Sequence, residues 1–403
     1  MGAPGGRHTR IGPGRAVAAL ALAHGANDLY MGFLPALLPL MVERLGLSLA
    51  LAGGLVSIVN LASQLTQPVL GHFADRIGRR VLVLVGPLVT TFAMASLGLM
   101  TSYEMLLVAL LLGSFGNSAF HPQAAALTGK IGGRRSGTAM AIFAAGGNIG
   151  YGLGPVLVIS IARHFGGQYT WLTIPIGIAA VIFVAAAVPT SVDMPAESVP
   201  DLPGAPPRPH WFRPLAILWA VVALRAAVAT LFTTFIPLLI ARRHEALMLG
   251  GLALLGFSLS GAIGGLIGGP ASDRLGRRSV TVVSMVLAAP AVFFFLRGHG
   301  VWSAALLLMT GACVFAALPV NLVMAQELLP KRASLVSGLM MGLAWAVGGL
   351  STTAVGAIAD RLAVSLGPAA GLARALDTIP LLAVAAAALA LILPETRPQS
   401  LSS

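Results

Sequence analysis

Long apolar runs, separated by short polar loops, constrain the fold of this chain more than any other feature of its sequence. A helix needs about 20 apolar residues to cross the hydrocarbon core of a bilayer. The sequence therefore predicts an all-α integral membrane protein with twelve transmembrane helices. To within a few residues, the runs cover 16–41, 49–73, 81–101, 104–128, 136–162, 169–190, 214–240, 247–271, 279–297, 300–326, 334–358 and 374–394.

Composition also favours lipid as the solvent. Of the 403 residues, 57% are hydrophobic and 9% are charged, whereas soluble domains carry about 25% charged residues. The net charge of +12 comes from short basic clusters between the apolar runs, which is not the pattern of a nucleic-acid-binding face. The first run continues past Asp28 to Met41, too long for a cleaved signal peptide. The single Cys313 excludes an intramolecular disulfide.

The twelve runs form two halves of six that repeat each other. The segment 71–80, Gly-x-x-x-Asp-Arg-x-Gly-Arg-Arg, recurs at 269–278, an offset of 198 residues that also relates Arg134 to Arg332. In transporters built from parallel repeats, the solute binds near the midplane between the repeats. The predicted segments are a cytoplasmic N-terminal segment at 1–15, six-helix bundles at 16–190 and 214–394, a proline-rich cytoplasmic linker at 191–213 and a cytoplasmic tail at 395–403.

The distribution of Lys and Arg predicts the orientation of the chain. If both termini are cytoplasmic, 17 of these residues lie in cytoplasmic segments, seven lie on the opposite face, and Arg225 lies within a span. Cytoplasmic loops of membrane proteins are enriched in Lys and Arg. We therefore expect a multi-pass protein of the bacterial inner (cytoplasmic) membrane with both termini in the cytoplasm.

The segment 71–80 resembles the signature loop of the major facilitator superfamily, and its copy at 269–278 strengthens a resemblance that covers nearly the whole chain. This resemblance implies the major facilitator fold and secondary active transport by alternating access, without enzymatic activity. The first half further resembles the fosmidomycin-resistance group of exporters, which implies drug efflux and antibiotic resistance. The residues that carry this second resemblance are His24-Gly-Ala-Asn-Asp-Leu-Tyr30, Leu34-Pro-Ala-Leu-Leu-Pro39, Gln67-Pro-Val-Leu-Gly71, Phe120-His-Pro-Gln123 and Gly146-Gly-Asn-Ile-Gly150.

A glycine-rich segment bears on the direction of transport. Gly150-Tyr-Gly-Leu-Gly154-Pro155 resembles an element of proton-coupled antiporters and favours export over uptake, although Val158-Ile159 stands where a further glycine pair is expected. Close helix packing explains the same glycines, because small residues let backbones approach. The arginine that many drug antiporters carry in the fourth helix is missing, and His121 lies in that helix instead.

Two charges of opposite sign are expected to face one central cavity. Asp28 lies near the middle of the first helix, and the offset of 198 places Arg225 of the seventh helix at the position of Asn27. Ionisable residues inside a span usually face the bundle interior and have a function. We predict that Asp28 carries protons and that Arg225 anchors an anionic group. A static pair that neutralises two buried charges is the alternative.

Other polar residues complete three predicted groups. Proton coupling is assigned to Asp28, His24 and His121. Substrate binding is assigned to Asn27, Tyr30, Asn60, Gln64, Gln67, Gln123, Asn148, Arg225 and Asn321. A conformational latch at the cytoplasmic loops is assigned to Asp75, Arg76, Arg79, Arg135, Asp273 and Arg274, for which topogenic charge is the alternative explanation.

No cofactor or metal is expected, because the histidines are scattered along the chain and no phosphate-binding glycine loop occurs. The sequence as a whole predicts a monomeric, proton-coupled exporter of a small anionic or amphiphilic compound. Its expected partners are that substrate, protons and membrane lipid, without nucleic acid. Two alternatives remain open: uptake of an organic anion by symport, and a sensor or assembly partner that transports nothing.

Overall fold

Helices dominate the computed structural model, which describes residues 13–188, 211–329 and 332–396. Within these residues the chain forms twelve helical spans and no β-strand. Eleven spans are long and apolar enough to cross a membrane, and the first is divided at Gly32. The prediction of an all-α membrane protein with twelve helices in two halves is confirmed.

The spans are numbered here in chain order. Spans 1 to 6 are Pro13–Met31 with Phe33–Leu45, Leu49–Ile77, Arg79–Ala95, Tyr103–Gly132, Ser136–His164, and the 3₁₀ turn Gly167–Thr173 with Ile174–Ala187. Spans 7 to 10 are Phe212–Arg242, Leu247–Leu275, Arg277–Arg297 and Gly300–Leu328. Span 11 combines Ala333–Gly338, the π-helical turn Leu339–Leu343 and Ala344–Leu366, and span 12 combines Pro368–Ala375 with Thr378–Leu391.

The predicted domain boundaries fall close to the ends of these spans. Span 7 begins at Phe212, inside the predicted linker. Residues 189–210, which make up most of that linker, and the terminal residues 1–12 and 397–403 lie outside the described part of the chain. The linker and the two terminal segments therefore stay predictions.

Span 1 is interrupted where it passes close to span 5. Pro35 has no N–H and cannot bond the carbonyl of Met31. The N–H of Gly32 still donates to the carbonyl of Asp28 at 3.0 Å, so the two helical pieces remain joined. A Cβ at Gly32 would lie 2.6 Å from the carbonyl oxygen of Tyr151. Only glycine permits this close approach.

The glycines of span 5 lie against the backbone of span 1. A Cβ at Gly150 would lie 1.9 Å from the carbonyl oxygen of Gly25, and one at Gly154 would lie 2.0 Å from that of Leu29. Both glycines, four residues apart, occupy one face of span 5. The structure thus supports the packing explanation for these glycines, whichever direction the protein transports.

The two halves close against each other at one end of the bundle. We call the end that holds Pro13 and Thr396 the terminal end and the opposite end the distal end. Towards the distal end span 2 packs along span 11, and span 5 packs along span 8. A Cβ at Gly53 would lie 2.2 Å from the carbonyl oxygen of Thr352 in the other half. The halves therefore touch backbone to backbone on the distal side of the midplane.

Candidate transport site

A cavity of about 270 Å³ lies between the halves, close to the midpoints of the spans. The first half contributes polar side chains to its wall, and the second half contributes aromatic rings and threonine hydroxyls. Such a wall suits a small solute with one polar and one apolar part. The residues that give the wall this character are Asp28, Asn60, Asn148 and Tyr151 from the first half and Thr230, Thr233, Thr234, Phe257, Phe315 and Trp345 from the second.

The carboxylate of Asp28 lies between two histidines. His24 Nε2 is 3.1 Å from Asp28 Oδ2, and His121 Nε2 is 3.2 Å from Asp28 Oδ1. Asn27 Nδ2 donates to the same Oδ1 at 3.2 Å and to Asn117 Oδ1 of span 4 at 2.7 Å. The side chain of Asp28 keeps 17% of its surface exposed and lines the cavity. This group, which brings together the three residues predicted for proton coupling, is accessible from the cavity.

Span 5 fixes the ring of His24. The ring stacks on Phe143 with 4.0 Å between centroids, and Nδ1 lies 2.7 Å from the carbonyl oxygen of Phe143. Spans 1 and 4 place His24 and His121 next to each other, with ring centroids 4.8 Å apart in an edge-to-face arrangement. The positions of all three side chains therefore depend on the packing of spans 1, 4 and 5.

Counting donors and acceptors assigns a proton to this group. A carbonyl oxygen only accepts, so Nδ1 of His24 carries a proton. Nε2 of His24 faces a carboxylate oxygen, which also accepts when ionised. A second proton must therefore lie between Nε2 of His24 and Oδ2 of Asp28, on one atom or the other. The pair holds one proton more than a neutral imidazole beside an ionised carboxylate.

The sequence argument that the histidines are too scattered for a cation site is wrong. Within the described residues, the ligand atoms of His24, Asp28 and His121 all lie within 4.8 Å of one another and could hold a metal ion. Residues distant in sequence meet because span 4 crosses beside span 1. The same convergence of three atoms can serve a proton.

Arg225 is buried at the midplane and has no anionic partner among the residues that the structure describes. Its side chain is 0% exposed, and Nε, Nη1 and Nη2 have no hydrogen-bond partner among those residues. The guanidinium carbon lies 5.1 Å from the ring centroid of Trp345 in span 11. Trp345 lines the cavity, and Ala229, one turn after Arg225 on span 7, lines it too. The static pair with Asp28, which was the alternative interpretation, is not present, and the carboxylate of Asp28 contacts His24 and His121 instead.

Several residues predicted to bind substrate have other partners. Asn60 and Asn148 line the cavity as expected. Asn27 is fully buried and holds Asp28 in place instead. Gln64 approaches span 11, where a Cβ at Gly342 would lie 3.7 Å from its Oε1. Some of the residues predicted to bind substrate therefore line the cavity, whereas others hold neighbouring residues or spans in place.

Tyr30 and Asn321 do not line the cavity, and their contact with substrate stays a prediction. The Tyr30 hydroxyl is buried, donates to the carbonyl of Thr173 at 2.6 Å and accepts from the N–H of Gly177 at 3.1 Å, so it joins span 1 to span 6. Asn321 is buried and accepts from Thr281 at 2.8 Å, joining spans 9 and 10. The two remaining glutamines do not line the cavity: Gln123 is buried and Gln67 is half-buried.

At the terminal end, the second repeat has a compact ionic network centred on Arg277. Its guanidinium donates to Ser272 at 2.6 Å, to Asp273 at 2.5 Å and to Glu327 at 3.2 Å. Glu395 accepts from the N–H of Arg277 at 2.8 Å. The offset of 198 relates Arg277 to Arg79, but it relates Glu327 to a glycine. The repeat argument could therefore not predict this glutamate as a partner.

The other predicted latch residues lie around the same loops. Arg76 is exposed, with its guanidinium carbon 5.9 Å from the ring centroid of Phe73. The side chain of Asp75 lies outside the described part of the structure. Arg135 and Arg274 are exposed, and Arg79 is half-buried. The conformational latch at these loops therefore stays a prediction for both repeats.

The sequence analysis did not single out the polar and aromatic residues that the second half adds to the cavity. Thr230, Thr233 and Thr234 are a cluster of hydroxyls in an apolar span, a pattern that could have identified them. Trp345 follows the π-helical turn Leu339–Leu343, and such turns often occur at functional sites. A π-helical turn cannot be recognised from the sequence of a single apolar run.

Comparisons with known proteins agree with this fold. The sequence model of the family described as Major Facilitator Superfamily matches residues 20–353. The chain is similar to the fosmidomycin resistance protein of Escherichia coli (strain K12), with 29% identity over 86% of this chain and 87% of that protein. It is also similar to the uncharacterized MFS-type transporter YfnC of Bacillus subtilis (strain 168), with 24% identity over 85% of each chain.

A solved structure supports the fold independently. The crystal structure of a bacterial homologue of the human lysosomal transporter Spinster superposes with a TM-score of 0.79 at 14% identity, covering 94% of this chain and 96% of that one. The resemblance to the fosmidomycin-resistance group is confirmed by the Escherichia coli relative. The proteins of this family are transporters and not enzymes. The chain belongs to the major facilitator superfamily of membrane transporters.

Proposed function

We propose that this protein is a proton antiporter that exports a small anionic or amphiphilic compound by alternating access. It would act as a monomer in the bacterial inner membrane with both termini cytoplasmic, so that the distal end faces the periplasm. The observation that carries the proposal is the group formed by His24, Asp28 and His121, in which two imidazoles contact one carboxylate beside the central cavity.

Coupling to protons needs a site that gains a proton in one conformation and loses it in another. Asp28 is suited to this because its partners come from different helices: His24 from its own span and His121 from span 4. A small displacement of span 1 against span 4 would change the distance between carboxylate and imidazole. Because charge proximity controls protonation, that displacement would release or recapture the proton.

The buried guanidinium of Arg225 favours a substrate that carries an anionic group. Arginine stays charged in proteins, and an uncompensated charge in a dry interior costs several kcal/mol. Arg225 has no carboxylate partner among the described residues, so an anionic group of the substrate would supply the missing compensation. The apolar part of the substrate would lie against Phe257, Phe315 and Trp345 of the cavity wall.

One relative supports export over uptake. The Escherichia coli relative is named for resistance to fosmidomycin, and a membrane transporter can confer resistance by removing a compound from the cytoplasm. The glycine-rich segment 150–155, which packs span 5 on span 1, gives no separate support for export. Symport of an organic anion remains the second transport function to test.

The test is flux through purified protein in proteoliposomes. Fosmidomycin and a series of small organic anions are offered under an imposed proton gradient, with a pH-sensitive dye on the opposite side of the membrane. We expect substrate to move against the proton flow, and movement in the same direction would establish symport instead. If no probe moves or binds, the sensor interpretation would replace transport.

Variants then connect the flux to the proton site. Asp28→Asn should lower gradient-driven accumulation by at least about tenfold while substrate binding to the purified protein persists. Asp377→Asn is the matched control, because this carboxylate pairs with Arg297 and Arg374 at the distal surface of the second half. Accumulation by Asp28→Asn at the wild-type level would contradict proton coupling at this site.

A further inference from the structure

We propose that Asp360 latches the two halves at the distal end by capping the first turn of span 2. This inference rests on the proposed alternating access. Asp360 lies in span 11, and its two carboxylate oxygens accept from successive backbone N–H groups across the interface. Oδ1 accepts from Leu49 at 2.9 Å, and Oδ2 accepts from Ala50 at 2.8 Å. The acceptor of this latch therefore lies in the second repeat, and its two donors lie in the first.

The first turn of a helix has N–H groups without intrahelical partners. In span 2, Ser48 provides one partner from its own half, since its hydroxyl accepts from Leu51 at 3.2 Å. The carboxylate of Asp360 accepts from the two N–H groups before that of Leu51, which belong to Leu49 and Ala50. A carboxylate is also attracted by the positive end of the helix dipole. Separation of the halves would replace these charge-assisted bonds by water, so the latch favours the state that is closed at the distal end.

Close backbone contact next to the latch makes the capping sensitive to movement. A Cβ at Gly356, one turn before Asp360, would lie 2.2 Å from the carbonyl oxygen of Leu49. Farther into the bundle, Thr352 donates to the carbonyl of Gly53 at 2.7 Å. Ser57 lies 2.9 Å from the hydroxyl of Thr352. Span 2 cannot tilt away from span 11 without breaking this row of contacts, and Asp360 holds its distal end.

The related interface of spans 5 and 8 has no such carboxylate. The offset of 198 places Ala162 of span 5 at the position of Asp360, and Ala246 before span 8 at the position of Ser48. Span 8 accordingly begins without a side-chain cap. The latch is thus present on one side only of the pseudo-symmetric bundle.

The latch can also open without leaving its charge isolated. Asp360 is half-buried near the distal end of span 11. When span 2 moves away, water can therefore reach the carboxylate. Opening therefore costs the bonds to span 2 and does not leave a buried, uncompensated carboxylate. These are the properties of a reversible gate.

The experiment measures the distal distance between the halves and requires neither substrate nor a proton gradient. Cys313, half-buried in span 10, is replaced by serine. Spin labels are then attached to cysteines at Arg163 and Val364, exposed residues near the distal ends of spans 5 and 11. Pulsed electron paramagnetic resonance gives the populations of short and long distances in the purified protein. Because this measurement does not depend on transport, it can contradict the latch while the proposed transport holds, and the flux assay can contradict transport while the latch holds.

Asp360→Ala should raise the ratio of the open to the closed distal population by about 5- to 30-fold, because two charge-assisted bonds to a helix terminus are lost. Ala50→Pro removes one N–H donor and keeps Asp360, and proline is tolerated in the first turn of a helix. It should produce a smaller increase in the same direction. If Asp360→Ala inserts poorly, this second variant still tests the latch.

Two variants separate the latch from general effects. Asp377→Asn removes a distal carboxylate whose partners all lie in the second half. Ser48→Ala removes a cap of span 2 that lies within the first half. Both should leave the ratio within about twofold of wild type. A ratio within twofold of wild type in Asp360→Ala and Ala50→Pro, or an equal shift in Asp377→Asn, would overturn the proposal.

Discussion

The buried guanidinium of Arg225 is expected to cost stability in exchange for substrate affinity. The side chain is 0% exposed and none of its three nitrogens has a hydrogen-bond partner in the described part of the chain, so burial removes the guanidinium from bulk water without a protein acceptor in its place. The effective penalty for such an ion is several kcal/mol. Stacking on Trp345 returns only about 0.5–2 kcal/mol. Methionine is similar to the aliphatic stem of arginine and carries no charge, so Arg225→Met should stabilise the substrate-free protein by about 1–4 kcal/mol.

The same substitution should weaken binding of an anionic substrate. A hydrogen bond to a charged group contributes about 1.5–3 kcal/mol, which corresponds to roughly 10- to 150-fold in Kd. Thermal unfolding in detergent measures the first effect, and equilibrium binding to purified protein measures the second. Arg225→Lys keeps a charge but loses the planar group. It should therefore bind the substrate better than Arg225→Met does.

Arg297 provides a matched control for this prediction. Its guanidinium also stacks on an aromatic ring, 3.8 Å from the Phe293 centroid, but it is partly exposed and bonded to Asp377 at 2.7 Å. Arg297→Met should not stabilise the protein or change substrate affinity. A lower melting temperature in Arg225→Met, together with unchanged binding of every anion that the protein transports, would refute the reasoning and make Arg225 a structural residue.

Three further predictions address orientation, the terminal-end loops and helix packing. A reporter fused at the C-terminus should be cytoplasmic and one inserted beside Arg243 periplasmic, and a cytoplasmic signal at Arg243 would contradict the proposed orientation. Asp75→Asn should slow transport by at least about tenfold at an equal protein level, whereas Asp273→Asn should be milder because Arg277 keeps two other side-chain partners. Wild-type transport by Asp75→Asn at an equal protein level would leave topogenic charge as the explanation of these loops. Gly150→Leu should prevent normal assembly, since even a Cβ would lie 1.9 Å from a carbonyl oxygen of span 1, and wild-type yield and melting temperature would contradict this packing.

Much of the fold could be predicted because the bilayer imposes a length on every helix that crosses it. Lipid offers no hydrogen-bond partners, so each run of about 20 apolar residues must be helical. The repeated segment at 71–80 and 269–278 then identified two halves and the family. The break at Gly32 was not predicted, because it depends on the approach of Tyr151 from another span.

The sequence also identified which ionisable residues lie inside the membrane, since depth follows from position within a run. Asp28, His24, His121 and Arg225 were all selected in this way. Their partners could not be predicted, because rotation about each helix axis and the choice of neighbouring helices depend on packing. The repeat offset suggested that Asp28 and Arg225 face one cavity at similar depth, but it relates positions in two halves and does not determine whether the two side chains are in contact.

The contacts between the spans follow from their packing and could not be predicted. The crossing of spans 1 and 4 places His121 on the carboxylate of Asp28, while span 11 covers Arg225 with Trp345. The same packing brings Asp360 to the first turn of span 2, more than 300 residues away along the chain. Which residues cross the membrane could be predicted from the sequence alone, because membrane insertion depends on the apolarity of each local run. Packing between spans determined which of these residues meet, because close contact depends on the shapes of both surfaces.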